Sequence, residues 1–350
     1  MNGFKYRANT IINRDVVTGV ETYRDEESLF NDEIYASDFK HLNDPFEATY
    51  IDAMDDVFAL MNRLGLDKNA SLQETWHNIQ SFREKLGVFS LSLSRNCYPD
   101  NELLWAHYAN SHKGFCIEYD IDKLQDSEQF VFNVNRVESI KYCKTPPTIT
   151  VADIYSDDLL IKLFGSKSLS WQYENETRLI YSTFGLKTYN PFALKAVYFG
   201  LNMSKARQDH IIDSLKNRDV KFYKMERNPG SYELSYSLYA ENKRNLNYQL
   251  DESLYEIIST RHNHAVENFH VYYKNKKLDK EPLLRFCKGF REKYCTKQAN
   301  IYLYDINCDK LRALIDMYPL RGEDETYMAD HNIAASIMGC EDSIWLYPMK

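Results

Sequence analysis

Trp171-Gln-Tyr-Glu-Asn-Glu-Thr-Arg178 places two carboxylates two residues apart, with aromatic residues before them and an arginine after. Tyr173, Thr177, Leu179, Ile180 and Tyr181 favour an extended chain, and side chains alternate along a strand. A continuous strand would therefore put Glu174 and Glu176 on one face. Like charges crowded there need water, a cation or a substrate to stabilise them, or one carboxyl titrates upward. A solvated face with Arg178 in a weak surface ion pair is the alternative.

Outward from this stretch, many short strand-like runs alternate irregularly with helical ones, which predicts an α+β fold. Val88–Ser94 alternates apolar residues with serines, so it reads as a half-buried strand with Ser90 and Ser92 on one face. Strands are also expected at 114–119, 137–142, 176–182, 194–199 and 220–225. Helices are expected within 48–86 and at 101–109, 153–164 and 204–217. Asn43-Asp44-Pro45 is turn chemistry, because Asn and Asp bond nearby backbone and Pro45 keeps Asp44 extended. After about residue 240 a polar stretch, Ala240–Gln249, suggests a link to a small second α+β domain, giving expected domains at 1–240 and 250–350.

The chain has 350 residues, 44% of them hydrophobic, with 27 tyrosines, 18 phenylalanines and a net charge of −8. Such a field argues against coating nucleic acid as a whole. A local patch remains possible, since 261–297 holds ten Lys/Arg against four Asp/Glu. That segment is either a solvated helical face or a site for an acidic partner. Seven cysteines without a C-x-x-C pair suggest reduced thiols in the cytoplasm. No apolar leader and no window approaching 18 uninterrupted apolar residues occur, so neither secretion nor membrane spanning is expected. His107 and His112 are five apart, and His262 with His264 lacks a companion ligand at a recurrent spacing, so no metal is expected. A P-loop, a G-x-G-x-x-G loop and a G-x-S-x-G elbow are all missing.

Five ordered blocks carry a family resemblance: Phe4-Lys-Tyr-Arg7, Leu42-Asn-Asp-Pro-Phe-Glu47, Phe89-Ser-Leu-Ser92, Leu103–Asp120 (LLWAHYANSHKGFCIEYD) and Lys167–Arg178 (KSLSWQYENETR). Together they resemble the bacterial domain-of-unknown-function family 2971 over roughly residues 1–225. That family looks related to the ADP-ribosyltransferases, whose pattern of Arg, then Ser-x-Ser, then Glu-x-Glu is similar to Arg7, Ser90-Leu-Ser92 and Glu174-Asn-Glu176. The resemblance implies a split β-sheet domain that uses NAD as substrate. It implies that Glu176 stabilises the oxocarbenium ion formed as nicotinamide leaves, while Glu174 orients or deprotonates the acceptor. Arg7 would hold ribose or pyrophosphate, Ser90 and Ser92 the nicotinamide ribose, and Trp171 and Tyr173 the ring. Asn43, Asp44, Trp105, His107, Tyr108, Lys167 and Arg178 would line the same cleft.

The implied activity is an NAD-dependent ADP-ribosyltransferase or NAD glycohydrolase, of the kind bacteria use as toxins or anti-phage effectors. Its macromolecular acceptor, protein or nucleic acid, is left open. Two other classes fit the residue types: a non-catalytic nucleotide- or protein-binding module on the same fold, and a magnesium nuclease using Asp44, Glu47, Glu174 and Glu176.

Overall fold

A computed structural model describes the chain except residues 20, 64–69, 126–134, 138, 157, 245, 263–265, 276–277, 296–297, 316, 318 and 348–350. His264 of the H-x-H pair, Lys276, Lys277 and Lys297 lie outside the described residues.

The fold is α+β. Eight strands form one mixed sheet in the order Leu234–Asn242, Val220–Arg227, Leu194–Phe199, Phe115–Asp120, Asn2–Arg7, Gly87–Ser92, Glu176–Tyr181, Asn135–Val137. Leu194–Phe199 runs parallel to Val220–Arg227 through the Lys205–Ser214 helix, and the other pairings are antiparallel. One ladder is interrupted. Asn2–Arg7 pairs along its whole length with Phe115–Asp120, and Gly87–Ser92 likewise with Glu176–Tyr181. Between Asn2–Arg7 and Gly87–Ser92, however, only Phe4 meets Ser92, so the sheet opens toward Arg7.

Alternation along the strands divides the core. On one face Phe89, Leu91, Phe115, Ile117, Tyr119 and Leu179 bury against Leu29, Ile121 and Ile211 of covering helices. On the other face two separate clusters form. Val88 and Ile180 pack with Met54, Leu72, Trp76 and Phe164, whereas Phe4, Tyr6, Cys116 and Tyr198 pack with Leu104 and Trp105. The opening in the ladder lies between these clusters.

The Glu102–Tyr108 helix begins at Asn101, whose side chain accepts from the Leu103 and Leu104 amides. It ends in three consecutive left-handed residues, Asn110, Ser111 and His112, at φ 49°, 52° and 65°. Such a turn is costly for non-glycine residues. Gly114 then lies so close to the first strand that a Cβ would stand 1.9 Å from the Arg7 carbonyl oxygen, which excludes any larger residue.

A second sheet of five strands, Tyr255–His262, Val266–Tyr273, Gln298–Tyr304, Asn332–Ser336 and Trp345–Leu346, has its own core. Leu283, Phe286, Cys287 and Phe290 of the Lys280–Tyr294 helix fill it at helical spacing. Within the basic segment Arg291 reaches inward to donate to the Ser336 carbonyl, whereas Lys288 pairs with Asp342 at the surface. Among the described residues, no helix is long and apolar enough to cross a membrane.

Candidate functional site

The stretch 171–178 is not one strand. Leu169–Glu174 is a 3-10 turn, Asn175 takes the left-handed conformation at φ 45°, and extended pairing starts at Glu176. Asparagine tolerates that conformation, and the kink changes how the two carboxylates meet. They converge on the ammonium of Lys167, which stands 2.5 Å from Glu174 Oε2 and 3.2 Å from Glu176 Oε2. Their mutual repulsion is therefore offset by a cation, and neither is solvated: both carboxylates and the Lys167 head are buried.

Arg178 lies beneath them, fully buried. Its Nε donates to Glu176 Oε1 at 2.8 Å, its two terminal nitrogens reach Glu47 at 2.5 and 3.0 Å, and it also donates to the Phe164 carbonyl at 2.8 Å. Burial alone would raise the Glu176 carboxyl, but Arg178 and Lys167 outweigh it and hold the group at about 2. Ser90 adds a hydrogen bond to Glu176. For Lys167, burial opposes the charge and Glu176 with Glu174 more than compensate, so its ammonium is held above its ordinary range.

Neighbouring elements fix this arrangement. Ser92 Oγ donates to the Glu174 carbonyl at 2.7 Å, and Asn101 Nδ2 donates to the Tyr173 carbonyl at 2.6 Å. Tyr108, on the last turn of its helix, donates to Glu174 Oε1 at 2.5 Å. Burial, and then this bond, push its phenol well above the ordinary range, so it remains a donor. The Glu176 amide donates to the Tyr142 hydroxyl at 2.9 Å.

Above these groups lies a cavity of about 650 Å³ at the opening in the ladder. Ten of the expected residues line it: Arg7, Asn43, Ser90, Ser92, His107, Tyr108, Lys167, Glu174, Glu176 and Arg178. Four do not. Trp105 is sealed in the core, where its indole donates to the Pro99 carbonyl at 2.6 Å and its ring meets Tyr6 edge-on. Asp44 is buried and closes its own turn by accepting from the Phe46 amide. Trp171 backs Lys167, whose Nζ is 4.8 Å from the ring centre, and Tyr173 lies behind it at 6.2 Å between ring centres. Neither aromatic ring lines the cavity, because the 3-10 turn carries both away from it.

Arg7 lines the cavity beside Asp25, 3.8 Å away, which also pairs with Arg24. The four carboxylates assigned to a magnesium site do not converge openly. Arg178 spans Glu47 and Glu176, and Asp44 is absorbed in its turn. Among the described residues, no group of three or more His, Cys, Asp or Glu side chains is placed to hold a metal ion.

One contributor was not expected, since Lys5 lines the cavity from the first strand. Glu47, weighed as a magnesium ligand, instead anchors Arg178 from below. The alternation Phe4-Lys5-Tyr6-Arg7 already contained a signal, since apolar residues in register set both cations on the opposite side of the strand.

Residues 104–179 match the family model described as "Protein of unknown function (DUF2971)". The match bears out the resemblance to that family and spans Trp105 through Arg178, while the blocks at 4–7, 42–47 and 89–92 lie outside it. No curated protein and no solved structure matches the chain.

Proposed function

We propose that the cavity binds NAD and that the protein is an ADP-ribosyltransferase or NAD glycohydrolase. The observation carrying this reading is the buried Glu176 at the opening of the sheet, paired with Arg178 and Lys167 and flanked by Ser90, Ser92 and Arg7. Cleavage of the bond between ribose C1′ and the nicotinamide nitrogen sends the electron pair to nicotinamide and leaves positive character on the sugar. A carboxylate fixed beside that carbon stabilises the transition state more than the ground state. An acceptor nucleophile, or water, then attacks C1′ and loses its proton.

In this scheme Glu176 supplies the charge. Arg178 and Lys167 are positioning residues, since they hold that carboxylate without reorganisation during the reaction. Glu174 orients the acceptor and Tyr108. Arg7 faces the anionic part of the dinucleotide with its fork of donors, and the serines face the ribose. Trp171 and Tyr173 stack no ligand ring in this scheme, since neither lines the cavity.

A non-catalytic binding module is the second reading. It is favoured by one specific observation: both Glu176 oxygens already accept from cationic side chains. Purified protein and Glu176→Gln, incubated with NAD with and without a lysate as acceptor source, separate the two. Glycohydrolase or transferase chemistry predicts nicotinamide release that falls about 100-fold or more in the variant, in line with the loss of one transition-state electrostatic partner. NAD-induced thermal stabilisation without release from the wild type supports the binding module. Silence in both assays sinks the NAD reading.

A further inference from the structure

Lys5 differs from the other cations of the cavity. Lys167 sits between Glu174 and Glu176, and Arg178 between Glu176 and Glu47, but Lys5 bonds only the Ser90 carbonyl, at 2.8 Å, and forms no ion pair among the described residues. That carbonyl belongs to the strand whose ladder with Asn2–Arg7 stops at Phe4–Ser92, so the ammonium caps an acceptor that the opening leaves unpaired. A half-buried lysine held in this way has its charge only partly compensated unless it gives up its proton or an anion enters.

We propose that Lys5 is the proton-linked anion contact of the cavity, charging as a phosphate-bearing ligand binds. This deepens the NAD reading and rests on it for the identity of the ligand. Lys5 and Arg7 are two residues apart on one strand, about 7 Å along the chain, and both line the cavity. Two cations so spaced suit the two phosphates of a diphosphate ester.

The groups around Lys5 come from five other segments and its own strand. Arg7 lies on the same strand, Cys116 is within electrostatic reach on the adjacent one, Glu176 begins the strand beyond Ser90, Glu174 ends the 3-10 turn, and Lys167 stands on the short Ser166–Ser168 strand before that turn. Phe89 contributes only its ring, 4.7 Å from Nζ. Burial first, then Arg7, lower the ammonium to about 7, against the partial support of Glu176 and Glu174. At neutral pH the empty site is therefore close to half protonated. An incoming phosphate favours the charged form, so binding takes up a proton, and affinity falls as pH rises through 7.

Calorimetric titration of NAD into the full chain at pH 8, in two buffers of different ionisation enthalpy, reads this directly. The expected result is uptake of close to one proton per NAD bound and about fivefold weaker binding at pH 8 than at pH 7. Lys5→Met should bind weakly with no proton uptake, and Lys5→Arg should bind equally at both pH values. NAD binding by the wild type without proton uptake overturns the role of Lys5 while leaving the NAD reading intact. Inorganic pyrophosphate is the second probe, scored by its affinity at pH 6.5. If NAD fails to bind but pyrophosphate binds about tenfold more weakly to Lys5→Met, the anion contact stands and the NAD reading falls. Failure of the wild type to bind either probe overturns the anion contact.

Discussion

The two walls of the cavity handle charge in opposite ways. On the Glu176 side, Arg178, Lys167, Glu47, Glu174 and Glu176 form a buried chain in which each cation touches two carboxylates. On the Asn2–Arg7 side, Lys5 meets a backbone carbonyl, and Arg7 has one carboxylate at 3.8 Å that it shares with Arg24. The first wall is complete without a ligand, which suits a group that must stay ionised and still. The second is electrostatically open, which suits a surface that recognises an anion. A site can thus divide preorganisation and recognition between the two edges of one interrupted sheet.

Removing the centre of the closed wall should have the largest effect. Arg178→Met leaves Glu47 without its bidentate partner and Glu176 with Lys167 as its remaining cation, a loss expected to cost about 3–5 kcal/mol of stability at pH 7. The deficit should shrink toward pH 4. With its folded-state proton affinity no longer depressed by Arg178, Glu176 can protonate in the variant while it remains charged in the wild type. Urea unfolding at both pH values checks this, and a deficit under about 1 kcal/mol would mean that the buried chain adds little.

The open wall should respond with the opposite sign. Lys5 titrates at about 7 in the fold against 10.5 in the unfolded chain, so between those values the unfolded state binds more protons. Stability contributed by the wild-type residue therefore rises with pH over that window, and below it the fold bears the full cost of the enclosed ammonium. Lys5→Met should stabilise the protein by about 1–3 kcal/mol near pH 6, a figure discounted for partial exposure of the side chain, with the gain fading toward pH 10. A thermal unfolding series across pH 6–10 measures it. A stabilisation independent of pH would indicate improved packing and would remove the contrast between the walls.

Much of this arrangement was legible locally. The alternation of Val88–Ser94 marks the Gly87–Ser92 strand, Asn101 marks its helix as an N-cap, and Leu194–Phe199 is a strand with the expected bounds. The pairing of Glu174 with Glu176 was legible as proximity but not as geometry, because one left-handed asparagine replaces a shared strand face with a shared lysine. Leu234–Asn242 was overlooked because it is an edge strand with one buried residue, and its end runs into the polar stretch expected to be a linker. The alternation at 4–7 sets Lys5 opposite Phe4 and Tyr6, but the opening beside it depends on strand order, which no local pattern carries. In sequence, a lysine between Phe4 and Tyr6 looks like the wet side of any strand.

The smallest effect should come from Tyr108, where the closed wall meets the cavity. Its phenol donates to Glu174 Oε1, while the other oxygen is held by Lys167. Tyr108→Phe removes one charge-assisted bond without leaving the carboxylate bare, so a loss of about 1.5 kcal/mol is expected, at the low end for a hydrogen bond to a charged group. Urea unfolding of this variant beside Lys167→Met partitions the hold on Glu174. If the phenol loss exceeded about 3 kcal/mol, Tyr108 rather than Lys167 would be the main anchor. The closed wall would then extend through the Glu102–Tyr108 helix, and any movement of that helix on ligand binding would be transmitted to the carboxylate pair.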